Sequence, residues 1–156
     1  MMDGSVISAE RVIPASASSI FDLLADPTRH PDIDGSGTVK AARVDGPRRL
    51  AMGSTFGMAM RMGIPYSMVN TVVEFEENRR IAWQARPKGF AGNLVGGRIW
   101  RYDLDPVEGG TKVTESWDIS EDHQRLFFRL SKLPEITRSN MAKTLARIEE
   151  LTASGT

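Results

Sequence analysis

His123-Gln124-Arg125-Leu126-Phe127-Phe128-Arg129-Leu130-Ser131-Lys132-Leu133-Pro134-Glu135-Ile136-Thr137-Arg138-Ser139-Asn140-Met141-Ala142-Lys143-Thr144-Leu145-Ala146-Arg147-Ile148-Glu149-Glu150-Leu151 is the one stretch of this chain long and periodic enough to form a major helix. Leu126, Leu130 and Leu133 step along one face. Beyond Pro134 the spacing resumes with Ile136 or Thr137, Met141, Leu145, Ile148 and Leu151 or Thr152, in steps of three and four that make a single apolar stripe. Lys143, Arg147, Glu149 and Glu150 supply a polar back. Leu133 precedes a proline, and the residue before proline is pushed out of the helical region. A break or kink is therefore predicted near residues 132–134, with helix on both sides. Phe127, Phe128 and Leu130 are expected near the mouth of any pocket, and Met141, Leu145 and Ile148 are expected to line or close it. An apolar stripe needs an apolar surface to cover it, which the rest of the chain is expected to supply as a curved antiparallel sheet.

The sheet is legible in two-residue alternation. Phe56, Met58, Met60 and Met62 fall on one face of a strand over 54–62, with Thr55, Gly57, Ala59 and Arg61 on the other. Similar patterns predict strands over 6–13, 38–44, 66–75, 80–86, 98–104 and 111–119. Most are separated by short turns rich in Gly, Pro, Asn and Asp, so successive strands are antiparallel neighbours. Between the first and second strands, Ser16 or Ser18 can cap a short helix over 19–25. Asp26-Pro27 closes it, and a second helical turn over 27–30 is stopped by Pro31. Ser120 is the expected cap of the final helix, with His123 on the surface at its start.

Composition removes several classes of function. The 156 residues contain no Cys, which excludes disulfides, thiolate metal sites and Cys nucleophiles. Twenty Lys+Arg balance twenty Asp+Glu, so no surface is announced as a partner for nucleic acid. Residues 1–4 lead into a mixed polar segment rather than a signal peptide. No run approaches the ~20 apolar residues of a membrane span. A cytoplasmic protein of one domain over 1–156 is expected, with its oligomeric state left open. Two His far apart form no metal set, and no phosphate loop or Gly-x-Ser-x-Gly elbow occurs; neither metal nor cofactor is expected.

Three runs carry a family resemblance: Val12-Ile13-Pro14-Ala15 before Ile20-Phe21-Asp22-Leu23-Leu24-Ala25-Asp26-Pro27; Val73-Glu74-Phe75 before Arg79-Arg80-Ile81-Ala82-Trp83; and Trp100-Arg101-Tyr102-Asp103-Leu104-Asp105-Pro106 before Gly109-Gly110-Thr111-Lys112-Val113-Thr114. With the order strand, two helices, six strands and a long helix, they resemble the helix-grip fold of the START-like, polyketide cyclase/dehydrase-like (SRPBCC) superfamily. The resemblance spans nearly the whole chain. It implies an α+β fold in which a curved antiparallel sheet of about seven strands wraps a long C-terminal helix as a START-like ligand-binding domain. Many relatives place a Trp soon after the second helix. Here that region reads His30-Pro31-Asp32-Ile33-Asp34-Gly35-Ser36-Gly37, like an uncharacterised subgroup, and no named activity carries over.

In this fold the space between sheet and helix is a cavity, apolar with a few placed polar groups. Candidate ligand-binding residues are Phe56, Met58, Met60, Asn70, Trp83, Phe90, Trp100, Tyr102 and Trp117 on the aromatic-rich strand faces and connections, and Met141 and Leu145 on the helix. The alternative is that these side chains fill an ordinary core. The mouth is expected at the loops 48–53 and 90–97 with the short helices. Glu115 shares a face with Val113 and Trp117. On an inner face its acidity is weakened unless it is paired, which suits it to acid/base work or to a ligand hydroxyl; on an outer face it is a ladder partner of Arg98, Arg101 or Arg61. His30, oriented by Asp32 or Asp34, and Tyr102 are the other catalytic candidates; the alternative for His30-Pro31-Asp32-Ile33-Asp34 is turn chemistry alone. The first expectation for function is binding or transport of a small hydrophobic molecule such as a lipid, polyketide or isoprenoid. The second is a polyketide cyclase/dehydratase-type enzyme using the same cavity, and the third is a protein-interaction or co-chaperone-like module.

Overall fold

The computed structural model describes residues 4–44, 47–62, 64–87 and 95–153. In chain order the elements are β1 (Val6–Ile13), α1 (Ala17–Leu24), a 3-10 turn (Pro27–Arg29), α2 (His30–Ile33), β2 (Val39–Val44), β3 (Thr55–Met62), β4 (Ile64–Glu76), β5 (Arg80–Pro87), β6 (Arg98–Val107), β7 (Gly110–Asp118), α3 (Arg125–Leu130) and α4 (Leu133–Ala153). The strands form one antiparallel sheet in the order β1-β7-β6-β5-β4-β3-β2. It is a curled half-barrel with the long C-terminal helix packed into it, the helix-grip arrangement expected. Strands β2 to β7 follow as an antiparallel meander, with tight turns over 77–79 between β4 and β5 and over 108–109 between β6 and β7. β1 returns to the far edge beside β7, with Val6 opposite Asp118 and Ile13 opposite Thr111. A bulge between Val72 and Glu74 shifts the β4–β5 register and adds to the curl.

Local chemistry sets the helical boundaries. Ser16 caps α1 by accepting from the Ser19 N–H at 3.2 Å, so the helix starts at Ala17, two residues before the expected position. Asp26 accepts from the Thr28 N–H at 3.1 Å and opens the 3-10 turn on Pro27. Ser120 does not cap the last helical stretch. Its N–H and hydroxyl both bond to Asp118, and α3 begins after Asp122 has taken the Gln124 N–H at 2.7 Å. His123 is exposed, as expected.

The predicted break is present. α3 ends at Leu130, Ser131 is extended, and α4 begins at Leu133. Ser131 holds the corner: its hydroxyl donates to the Phe128 carbonyl at 2.9 Å and accepts from the Leu133 N–H at 3.1 Å. Pro134 sits in the first turn of α4, where its missing N–H costs nothing. The break also corrects the apolar stripe. α3 turns Phe128 inward, while Leu126, Phe127 and Leu130 are each more than 60% exposed (66%, 64% and 66%). Helical phase does not carry across an extended residue, so Leu126 and Leu130 leave the face shared by Met141, Leu145 and Ile148. That face of α4 is buried against the sheet, and the Arg11–Glu149 ion pair at 3.0 Å fastens α4 to β1.

The segment after α2 is pressed onto α4. Gly35 donates its N–H to the Thr144 hydroxyl at 2.9 Å. A Cβ on Gly35 would meet the Asn140 carbonyl, with Lys143 Cβ and the Thr144 N both at 2.6 Å. The main core is built from residues that include Ile13, Ile20, Phe21, Leu24, Phe56, Ile81, Leu145 and Ile148, all at most 1% exposed. No helix among the described residues is long and apolar enough to cross a membrane.

Candidate functional site

Pairing of the strands decides which side chains share the concave face. Trp83 on β5 stands opposite Trp100 on β6, which stands opposite Trp117 on β7. In the neighbouring rows Tyr102 stands opposite Glu115, and Asn70 on β4 opposite Ala85. These rows face α3 and α4 across a cavity of about 670 Å³. Met58, Met60, Asn70, Trp83, Trp100, Tyr102 and Trp117 form its sheet wall, and Phe128, Thr137 and Met141 its helix wall. Ile136 lines the cavity and is also 52% exposed, so the cavity reaches solvent beside the start of α4.

Three of the expected lining residues, Phe56, Leu145 and Ile148, are elsewhere, Ile148 being fully buried in the core. Phe56 and Leu145 are at most 1% exposed and belong to the packed core below the cavity floor. They share a face with lining residues without reaching the cavity; Phe56 packs edge-on against His30 and Trp83. Phe90 lies outside the described residues. The expected mouth at 48–53 is also corrected: Leu50 is buried in the core, held by its N–H to the Ala25 carbonyl at 2.8 Å, and no residue of that loop lines the cavity. Of 90–97, residues 90–94 are outside the described set; Val95 is on the wall.

His30, at the start of α2, lines the cavity and is 3% exposed. Its ring stacks on Trp83 at 4.8 Å and meets Phe56 edge-on at 5.3 Å. Its Nε2 lies 2.9 Å from the Leu24 carbonyl, which only accepts, so Nε2 carries the proton and Nδ1 is a bare acceptor. Burial holds the ring's pKa down at about 4, although the Leu24 hydrogen bond and the charges of Asp26 and Asp34 act the other way. The expected His–Asp dyad does not form. Asp32 pairs with Arg29 at 2.9 Å, and Asp34 is spent on the Ser36 hydroxyl and the Val39 N–H. Backbone donors inside a tight loop outcompete an imidazole whose proton points at Leu24.

Glu115 is 2% exposed, on the inner face. It is not an arginine ladder partner: Arg98 pairs with Asp122 at 3.0 Å, and Arg101 with Glu74 at 2.6 Å on the opposite face. Burial raises its pKa well above the usual carboxylate range. The Tyr102 hydroxyl partly offsets this, and the charge on Asp34 adds to it. Burial likewise raises Tyr102, and the facing Glu115 carboxyl raises it further. Glu115 is therefore a weakened acid in a buried site, suited to donate to a carbonyl or hydroxyl oxygen while it holds its proton.

The sequence reading missed Arg98, Asp122 and Thr137. Arg98 lines the wall, lies 4.9 Å over the Phe128 ring, and ties β6 to the fully buried Asp122 at the start of the helical stretch. The signal was available in part, since Arg98 occupies the same row as Asn70 and Ala85. Among the described residues no group of three or more His, Asp or Glu is placed to hold a metal ion.

Residues 6–152 match the family described as "Polyketide cyclase / dehydrase and lipid transport". The chain belongs to this family. Two uncharacterised proteins of Mycobacterium tuberculosis strains are 27% and 26% identical over 155 residues, covering 96% of this chain. The chain spans 65% of the length of these curated relatives. Solved structures with the same fold include a protein of Nitrosomonas europaea (18% identity, TM-score 0.72, covering 99% of this chain and 98% of that one). A protein of Mycobacterium smegmatis shares 15% identity with a TM-score of 0.72, covering 100% and 96%. A major latex-like protein of Panax ginseng shares 12% identity with a TM-score of 0.68, covering 96% and 99%. In this polyketide cyclase/dehydrase and lipid transport family, the cavity under α4 is where the present chain concentrates its buried aromatic and orphaned polar groups.

Proposed function

We propose that the protein binds or carries a small hydrophobic molecule of lipid, polyketide or isoprenoid type in this cavity, with residues 1–156 acting as one ligand-binding domain. The observation that carries the reading is the cavity itself: about 670 Å³ falls inside the usual range for small-molecule pockets, roughly 300–1,000 Å³. Its wall of Trp and Met is adaptable as well as apolar. Native mass spectrometry of the purified protein is expected to show a co-purified small molecule. A neutral apolar fluorescent probe, N-phenyl-1-naphthylamine, is expected to bind and to quench the tryptophans. Filling the space with Thr137→Phe, at a position that lines the cavity from α4, should weaken probe binding at least ~10-fold, about 1.4 kcal/mol. Unchanged affinity in a folded Thr137→Phe protein counts against the reading.

A second reading, acid/base catalysis on a polyketide-like substrate, is favoured by one observation, the buried Glu115 carboxyl opposite Tyr102, its acidity weakened by burial. If it holds, Glu115→Gln lowers turnover by ~10²-fold or more while leaving ligand affinity within a few-fold.

A further inference from the structure

Three of the polar side chains on the cavity wall each leave one buried polar atom without a hydrogen-bond partner: His30 Nδ1, Asn70 Nδ2 and Glu115 Oε1. All three residues are 2–3% exposed, and all three line the cavity. Buried polar groups in folded proteins are almost always paired, so three orphans on one wall demand an account. An ordinary core would have replaced them by apolar groups of similar size, as it has at Phe56 and Leu145.

Their placement is fixed by the fold. His30 is clamped between Trp83 and Phe56, with its one proton committed to Leu24. Asn70 stands opposite Phe56 on one side of the Trp83 row, and Glu115 opposite Tyr102 on the other. The groups therefore surround the aromatic floor at separated points. Their chemistry is also fixed. His30 Nδ1 accepts, the Asn70 amide nitrogen donates, and the Glu115 carboxyl pairs with an oxygen. The cation on the described part of the wall, Arg98, is already paired with the fully buried Asp122, and the acid Asp34 lies on the same wall. An anionic ligand would meet that acid without a free counter-charge.

Building on the hydrophobic-ligand reading above, we infer that the cavity recognises a neutral, mainly apolar molecule bearing at least two separated oxygen functions: a hydroxyl that donates to His30 Nδ1, and a carbonyl or hydroxyl oxygen that accepts from Asn70, with Glu115 pairing a further oxygen at the opposite side. A plain hydrocarbon leaves all three groups unsatisfied, and a fatty-acid carboxylate places its charge beside Asp34.

The test uses a matched bicyclic series: tetralin, the 5-, 6- and 7-hydroxy-1-tetralones, and tetralin-2-carboxylate. Affinity is read by tryptophan quenching and calorimetry. At least one hydroxytetralone is expected to bind 10-fold or more tighter than both tetralin and the carboxylate. In the Asn70→Leu and Asn70→Leu/Glu115→Met proteins that preference should collapse to within about 3-fold. A second measurement needs no ligand: if the polar atoms are held for a ligand, the ligand-free Asn70→Leu protein melts at the same temperature as the parent or a few degrees above it. Equal or tighter binding of tetralin, a preference for the carboxylate, or a clear fall in the melting temperature of Asn70→Leu overturns the inference and leaves the hydrophobic-ligand reading standing. Absence of binding across the whole series and by N-phenyl-1-naphthylamine overturns both.

Discussion

Gly35→Val is expected to destabilise the protein by roughly 3 kcal/mol, the upper part of the usual range for forcing atoms into a packed site, or a fall of about 6–12 °C in melting temperature for a chain of this size. The reason is close approach rather than backbone conformation. A Cβ at Gly35 runs into the α4 backbone at Asn140 and Thr144 and into Lys143 Cβ. Helix backbone cannot rotate aside as a side-chain tip does. The collision also breaks the Gly35 N–H bond to Thr144, whose hydroxyl in turn reaches the Asn140 carbonyl at 3.1 Å. Gly37, two residues on, is the control. It has φ +71° and open space around its Cα, so Gly37→Ala meets only left-handed strain, about 1 kcal/mol. Denaturant unfolding of the two variants should show this contrast, and equal effects would place the constraint elsewhere. Since Asp34, Asn140 and Thr144 also line the cavity, Gly35→Val should weaken probe binding as well.

Stability is expected to fall as pH drops from about 6.5 to about 4, by up to roughly 3 kcal/mol from one residue, His30. In the unfolded chain the imidazole takes a proton near 6.5; in the fold, burial among Trp83, Phe56 and Leu24 delays this to about 4. Between those values the unfolded state binds more protons, so folding weakens as pH falls. Glu115 acts in the opposite direction. Its carboxyl stays protonated in the fold at pH values where the unfolded chain has ionised it, so its burial opposes folding near neutrality and ceases to do so as pH falls toward the ordinary carboxylate range. The surface carboxylates Asp26, Glu74 and Glu149, held low chiefly by Arg48, Arg101 and Arg11, add their loss only at more acid pH. Unfolding free energies of the parent and of His30→Gln across pH 7 to 4 separate these contributions. The slope between 6.5 and 4 should be shallower in the variant, and superimposable curves would show that His30 is not the group responsible.

The fold is legible because its two periodicities are strong. Phe56, Met58 and Met60 mark a strand, Met141, Leu145 and Ile148 mark a helix face, and the sheet register joins Trp83, Trp100 and Trp117 once neighbouring strands are taken as antiparallel. Depth is not legible. Phe56 and Met58 share a strand face, as do Leu145 and Met141 a helix face; all four are buried, and of them Met58 and Met141 also border the cavity. Which of two residues on a face borders a cavity is a tertiary property with no local signature. The His30–Asp pairing failed for a related reason. Sequence proximity brought Asp32 and Asp34 near the ring, but Arg29, Ser36 and the Val39 N–H took their oxygens first. Glu115 was the informative exception, because an acid alternating with Val113 and Trp117 conflicts with its own strand face, and the conflict was real.

The corner at Ser131 gives the two parts of the helical stretch separate lifetimes. α3 has six residues and buries one large side chain, Phe128, whereas α4 has 21 and is packed along Met141, Leu145 and Ile148. Amide hydrogens of α3 are expected to exchange through local opening far faster than those of α4, which should approach the rate set by global unfolding; native-state exchange with mass-spectrometric readout measures both. Because Phe128 lies on the cavity wall, such an opening uncovers the cavity without unfolding the core. For the ligand proposed above, residence time would then follow the α3 corner and occupancy the polar groups His30, Asn70 and Glu115, so the two could change independently.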